Sequence, residues 1–128
     1  MALTVANEFK KACLDGGTAV FNTGKFVLQA TGPTTLATLT FGATAFGAAT
    51  TASPSSALSN AITAASSPTA GTIALFQLQT SGSSARISGT VSTVAAGTGD
   101  MQFTDTVIPG GTTSVTCTGG VTLTLQIT

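Results

Sequence analysis

The sequence predicts a mainly β single domain: an antiparallel β-sandwich or small barrel, jelly-roll-like, with a short N-terminal helix. Three observations predict it. Roughly eight short segments of alternating or continuous apolar character are separated by turn formers at regular spacing. Gly71 to Gln79 (Gly-Thr-Ile-Ala-Leu-Phe-Gln-Leu-Gln) carries apolar residues on both parities, which marks a central strand covered on both faces. From Val121 to Thr128, Val121, Leu123, Leu125 and Ile127 alternate without a fault against Thr122, Thr124, Gln126 and Thr128. At 128 residues the chain is long enough to bury one self-sufficient core, so residues 1–128 read as one domain, with a helical segment 1–16 and a β-rich body 17–128.

Residues 4–15 form the predicted helix. Thr4 is the candidate N-cap, Val5, Phe9, Ala12 and Cys13 share one apolar face, and Gly16-Gly17 supplies the stop. Four of the formal charges, Glu8, Lys10, Lys11 and Asp15, fall here, as a solvated face or a docking surface. Thr18 to Asn22 and Lys25 to Ala30 read as a hairpin across Asn22-Thr23-Gly24, and Thr31-Gly32-Pro33 breaks the chain. Thr34 to Phe41 is a strand whose alternation slips between Leu36 and Leu39, the mark of a bulge or a strand end. Gly42 to Ser53 has weak propensity for any regular structure. Ser55 to Ala65 spaces Ala57, Leu58, Ala61, Ile62 and Ala65 as in a helix, or as in a loop with one helical turn.

Beyond the central strand, Ala85 to Thr93 is predicted to turn Ile87 and Val91 inward, and Ala95 to Gly99 to form a loop tip. Asp100 to Ile108 places Met101, Phe103 and Val107 on one face, interrupted by Asp105. Pro109-Gly110-Gly111 turns the chain, and Thr112 to Thr118 pairs with Val121 to Thr128 across Gly119-Gly120. Thr on the exposed parity suits a pleated surface, and the Thr-x-Thr tracts are too few and scattered for an ice-binding face.

Composition excludes several functions. Charged residues make up 6% of the chain, against roughly a quarter in ordinary soluble domains, and the net charge is zero. Lys10, Lys11, Lys25 and Arg86 cannot neutralise a phosphate backbone or hold an anionic membrane, so neither nucleic acid nor a membrane is an expected partner. Sparse, balanced charge favours association, which points to a protein whose surface is covered by neighbours in an assembly. A hydrophobic content of 42% with clear periodicity excludes disorder. No basic n-region with an uninterrupted apolar h-region opens the sequence, so a protein made and left in a cytoplasm is expected, or one that reaches the outside by a route other than secretion.

Catalytic chemistry is sparse too. Without His, no Ser-His-Asp or Cys-His site forms. Asp100 and Asp105 differ in parity and are expected on opposite faces of a strand, which argues against a carboxylate pair, a catalytic set or a metal box. Gly97-Thr-Gly99 and Gly110-Gly111 read as turns, since neither opens a helix or carries a P-loop lysine. No cofactor is expected. Cys13 and Cys117 are expected as two buried free thiols; an intramolecular bridge, or one between subunits formed in an oxidising medium, is the alternative.

The order of motifs carries a resemblance. A short helix ending Leu14-Asp-Gly-Gly17 is followed by Phe21-Asn-Thr-Gly24 and an Ala/Thr-rich middle. Gly71-Thr-Ile-Ala-Leu-Phe76, Ser88-Gly-Thr-Val91, Asp100-Met-Gln-Phe103, Val107-Ile-Pro-Gly-Gly111 and a Thr-rich closing strand come next. This resembles the small accessory virion structural proteins of tailed bacteriophages, over most of the chain. The resemblance implies a non-enzymatic β-sandwich protein made in the host cytoplasm and located in the virion. It would act as a homo-oligomer bound to other virion proteins, either the major capsid protein or neck and tail proteins. Capsid decoration or cementing at capsomer junctions is the first expectation. A neck, collar or tail accessory protein and a carbohydrate- or receptor-binding head-fibre module are the alternatives. Val5, Glu8, Phe9, Lys10 and Lys11 of the helix, with Phe46 of the loop Gly42 to Ser53, are the candidate interface residues.

Overall fold

A computed structural model describes residues 4–126. It is mainly β, with one short N-terminal helix and a multi-strand sheet that curls into a half-barrel. Helix α1 (Asn7–Thr18) runs into a 3-10 turn (Ala19–Phe21). Among the described residues twelve strands follow: β1 (Lys25–Ala30), β2 (Thr34–Phe41), β3 (Ser55–Leu58), β4 (Ile62–Thr63), β5 (Ala65–Ser66), β6 (Gly71–Thr72), β7 (Leu75–Gln79), β8 (Ala85–Thr93), β9 (Met101–Phe103), β10 (Val107–Ile108), β11 (Ser114–Val115) and β12 (Thr122–Leu125). The main sheet has the order β4-β2-β1-β7-β8-β9, and the two-stranded ribbons β10-β6, β11-β5 and β12-β3 complete the fold.

Burial explains this order. The two central strands carry the largest fully buried side chains, Phe26 on β1 and Leu78 on β7, which face each other in register; Leu39 of β2 is paired with Phe26 on its other side. The ribbons bring Ala57, Ala65, Ile108 and Val121 to the same core. The slip expected in β2 is a bulge: Leu28 pairs with Ala37 but Gln29 with Thr35, so Leu36 is the extra residue and both Leu36 and Ala37 turn inward.

Several expectations are corrected. The predicted central strand is two strands. Gly71–Thr72 pairs with β10, Ile73 donates its backbone N–H to the Thr106 carbonyl, and only Leu75–Gln79 sits between β1 and β8. The change of partner at Ile73 and Ala74 is why apolar residues occupy both parities: the chain moves from ribbon to sheet, and Ile73, Phe76 and Leu78 all reach the core. Thr18 to Asn22 is not a strand, because α1 continues through Gly16-Gly17 to Thr18 and into the 3-10 turn. Thr4 is not the N-cap; that position is Ala6, with no side-chain cap. Ser55 to Ala65 forms strand pieces and no helix, since β12 offers a complete ladder from Leu58↔Thr122 to Ser55↔Leu125. Ser55 hydroxyl, buried, donates to the Thr50 carbonyl, a contact that a helix would not make.

The final hairpin does not form either. β11 pairs with β5 and β12 with β3, so the Gly119-Gly120 turn joins two ribbons. Val121 is buried, Leu123 and Leu125 are half-buried, and Ile127 lies outside the described residues. β8 and β9 run parallel, joined by residues 94–100 alone, whereas parallel neighbours ordinarily need a crossover of about a dozen residues or more. Gly99 makes the short return possible. A Cβ there would meet the Ser92 backbone nitrogen at 2.5 Å and the Val91 carbonyl carbon at 2.8 Å.

Candidate functional site

Two places concentrate unusual features: the outer face of α1 and the concave side of the half-barrel. The helix packs on β3 and β12 through Lys10, Leu14 and Thr18. The apolar face predicted from Val5, Phe9, Ala12 and Cys13 is therefore turned outward. Phe9 is 59% exposed, and Ala12 and Cys13 are exposed with it. Leu14, one position along from Cys13, is the helix's large apolar anchor in the core.

The polar partners fix this rotation. Lys10 is buried and its Nζ donates to Ser53 Oγ at 2.8 Å. Asp15 accepts from Lys11 Nζ and, at 2.7 Å, from the backbone N–H of Ala49. Both bonds hold its carboxyl below the ordinary value of 3.8, the lysine bond contributing most. Asn22 Oδ1 accepts from the Ala45 N–H at 2.9 Å. Asp15 and Asn22 thus stitch the loop 42–53 onto the helical end. Phe46 is buried there with Phe21 and Phe41, its ring centroid 6.1 and 5.5 Å from theirs.

This geometry divides the six candidate interface residues. Glu8 and Phe9 are exposed, and Val5 and Lys11 are half-buried and reach solvent. Lys10 and Phe46 are corrected to interior positions: one is held by Ser53 and the other closes the aromatic cluster. Sequence reasoning missed Val20, 47% exposed at the end of the same helical stripe, and a groove of about 400 Å³ beside it. The groove lies between the C-terminal half of α1 and strands β8 and β12, lined by Leu14, Ile87, Leu123 and Leu125 with Arg86. The Phe9–Cys13 spacing was legible as a stripe; which way it faced was not.

The second place is a cavity of about 610 Å³ on the concave side. Its apolar lining comes from Phe26, Leu28, Leu39, Ile73 and Val121, and its polar lining includes Gln102, Asp105 and Thr122. Asp100 and Asp105 line the same cavity, correcting the expectation that they project to opposite faces. The reason is local. β9 ends at Phe103, and Asp105 Oδ1 accepts from the Val107 N–H at 2.9 Å, a turn that resets parity before β10. By the same reset Ile108 is buried and Val107, predicted to share a face with Met101 and Phe103, is 54% exposed.

Asp100 is a tie between strands. Its Oδ2 accepts from both the N–H and the hydroxyl of Thr90 at 2.9 Å, and these bonds hold its carboxyl below the ordinary value of 3.8. Cys117 also lines the cavity, and burial pushes its thiol up from the ordinary value of 9.0. Both cysteines are free, as expected, but Cys13 is exposed and not buried. Among the described residues, no group of three or more His, Cys, Asp or Glu side chains could hold a metal ion, and no helix is long and apolar enough to cross a membrane.

Acid should test the two tied carboxylates. A folded pKa below the unfolded one contributes stability that is fully present above the unfolded value and lost as pH falls through the folded value. The melting midpoint should therefore decline below about pH 4. Replacing both residues, Asp15→Asn with Asp100→Asn, should flatten that limb; an unchanged acid limb would mean that other groups govern it.

Comparison with protein-family models, with curated proteins and with solved structures finds no match to this chain.

Proposed function

We propose that the chain is a non-enzymatic structural protein of a tailed-phage virion, and within the virion a capsid decoration or cement protein. The observation that carries this reading is the distribution of exposed apolar residues. Phe9, Val20, Leu58, Val94 and Val107 are all about half exposed or more, on α1, its 3-10 extension, β3, the β8–β9 loop and β10. They occur on a chain with 6% charged residues and no net charge. An isolated protein keeps itself dispersed by charge, and this one has little with which to do so. Burying such surface across capsomer junctions would raise the cost of separating capsomers without any chemistry. The carboxylates fit that role, since Asp15, Asp100 and Asp105 are each engaged in holding backbone.

The partners in this reading are the major capsid protein and further copies of the chain; nucleic acid and membranes have no part in it. Copy number per particle, by quantitative mass spectrometry of purified virions, tests it. Hundreds of copies are expected, and particles lacking the protein should lose their contents at a lower temperature. About six to a few dozen copies, the count of a symmetric ring or a few, would assign the chain to the neck, collar or tail instead. Absence from particles would end the virion reading.

The concave cavity favours a second reading, a carbohydrate- or receptor-binding head-fibre module. An apolar floor beneath Gln102, Asp105 and Thr122 offers hydrogen-bonding groups around a surface on which a sugar ring could lie. Against it, the chain has no Trp or Tyr, the usual stacking platforms. A glycan-array signal abolished by Asp105→Ala would favour this reading.

A further inference from the structure

We infer that the outer face of α1 is a copy-to-copy contact, in which two chains pair their helices antiparallel about a two-fold axis passing near Cys13. From the virion reading this takes only that the chain assembles, and its test needs no particle.

The argument starts from spacing. Phe9, Cys13 and Gly17 are four residues apart, so they lie along one side of the helix, with Phe9 about 6 Å along the axis from Cys13 and Gly17 as far the other way. A two-fold axis at Cys13 therefore places Phe9 of each copy opposite Gly17 of the other. Phe9 is a projecting apolar side chain, 59% exposed, at one end of the stripe. Gly17 lines the apolar groove of about 400 Å³ at the other end. Nothing lies within 4 Å of where a Gly17 Cβ would stand, so the groove is open there. A knob on one side of Cys13, and a groove that runs from Cys13 past Gly17 on the other, are what a self-complementary two-fold contact requires.

Charge selects the same occupant. Among the described residues Arg86 is the only charged one lining the groove, and Glu8 immediately precedes the knob. Among the described residues the one ion pair is Lys11–Asp15, and Glu8 and Arg86 take part in no side-chain hydrogen bond. The antiparallel pairing brings Glu8 of each copy toward Arg86 of the other, twice per dimer. A parallel pairing would set Glu8 against Glu8.

The test uses the purified full chain. Sedimentation equilibrium should show a monomer–dimer equilibrium at concentrations up to about 100 μM, a range that covers weak association. Phe9→Asp should weaken it at least tenfold while leaving the circular dichroism spectrum and melting midpoint unchanged, since Phe9 is 59% exposed and stands outside the buried core cluster. Glu8→Arg and Arg86→Glu should each weaken it, and the double exchange should restore it. In a Cys117→Ser background, a short bismaleimide should join two chains through Cys13, each thiol adding across one maleimide double bond, and Phe9→Asp should abolish the product. A monomer throughout the range, a dimer indifferent to Phe9→Asp, or a dimer that never crosslinks through Cys13 would overturn the inference. None of these outcomes changes the copy number per particle, so failure here and failure of the virion reading are separable.

Discussion

Phe26→Ala should lower the melting midpoint by roughly 10 to 20 °C, the consequence of losing about 3–5 kcal/mol from a core of this size. Phe26 has no exposed surface and stands where three strands meet, paired in register with Leu39 of β2 and with Leu78 of β7, both also fully buried. Its ring meets Phe76 edge-on, with centroids 6.4 Å apart, so truncation also removes an aromatic pair. The site cannot collapse easily. Its neighbours are held by ladders on both sides, and the concave cavity of about 610 Å³ already borders the ring. Thermal unfolding followed by circular dichroism is the measurement. A shift of only a few degrees would mean that the β1–β7 centre is not the stabilising core; Phe26→Leu should recover most of the loss, because it restores most of the volume.

Gly99→Ala should cost about 1–3 kcal/mol, the range for forcing atoms into a closed space, and should act on the cavity rim as well as on stability. The added methyl would meet three backbone atoms, of Ser92, Met101 and Val91, all at 2.8 Å or closer, and backbone cannot rotate away as a side chain can. β9 would have to withdraw from β8, breaking the parallel pairs from Val91↔Met101 to Thr93↔Phe103. Asp100, next in sequence, would lose its two bonds from Thr90. The expected signature is a lower melting midpoint together with faster amide exchange confined to residues 90–103. Its carboxyl would also return toward the ordinary value of 3.8, which NMR titration reads directly. Global destabilisation without local exchange would contradict this account, as would an unchanged Asp100 titration.

Some of these contacts were legible in the sequence. Strands β1, β2, β7 and β8 appear as alternating or doubly apolar runs because their partners are other regular strands, and a period of two survives into the structure. The bulge at Leu36 left its trace as a slip in that period. The apolar stripe of α1 and the residues that carry it, Phe9 and Cys13, were equally readable.

Other features were decided by distant partners. The loop 42–53 has no propensity of its own, yet Ala45, Phe46 and Ala49 are buried because Asp15, Asn22 and the strand β3 supply its backbone with hydrogen bonds. The spacing of Ala57, Leu58, Ala61 and Ile62 satisfies a helix as well as broken strands, and pairing with distant strands chooses between them, Ala57 and Leu58 with β12 and Ile62 with Phe41 of β2. Asp100 and Asp105 share a cavity because a turn between them resets parity.

By itself the sequence determined a mainly β chain with one short helix, the strands of its sheet centre and a surface poor in charge, because these follow from periodicity and composition within each segment. Only the tertiary structure decided which face of α1 is buried, which strands are neighbours and what lines the concave cavity. Burial and hydrogen bonding are satisfied between segments, and a local pattern names the two faces of an element without saying which one the rest of the chain will cover.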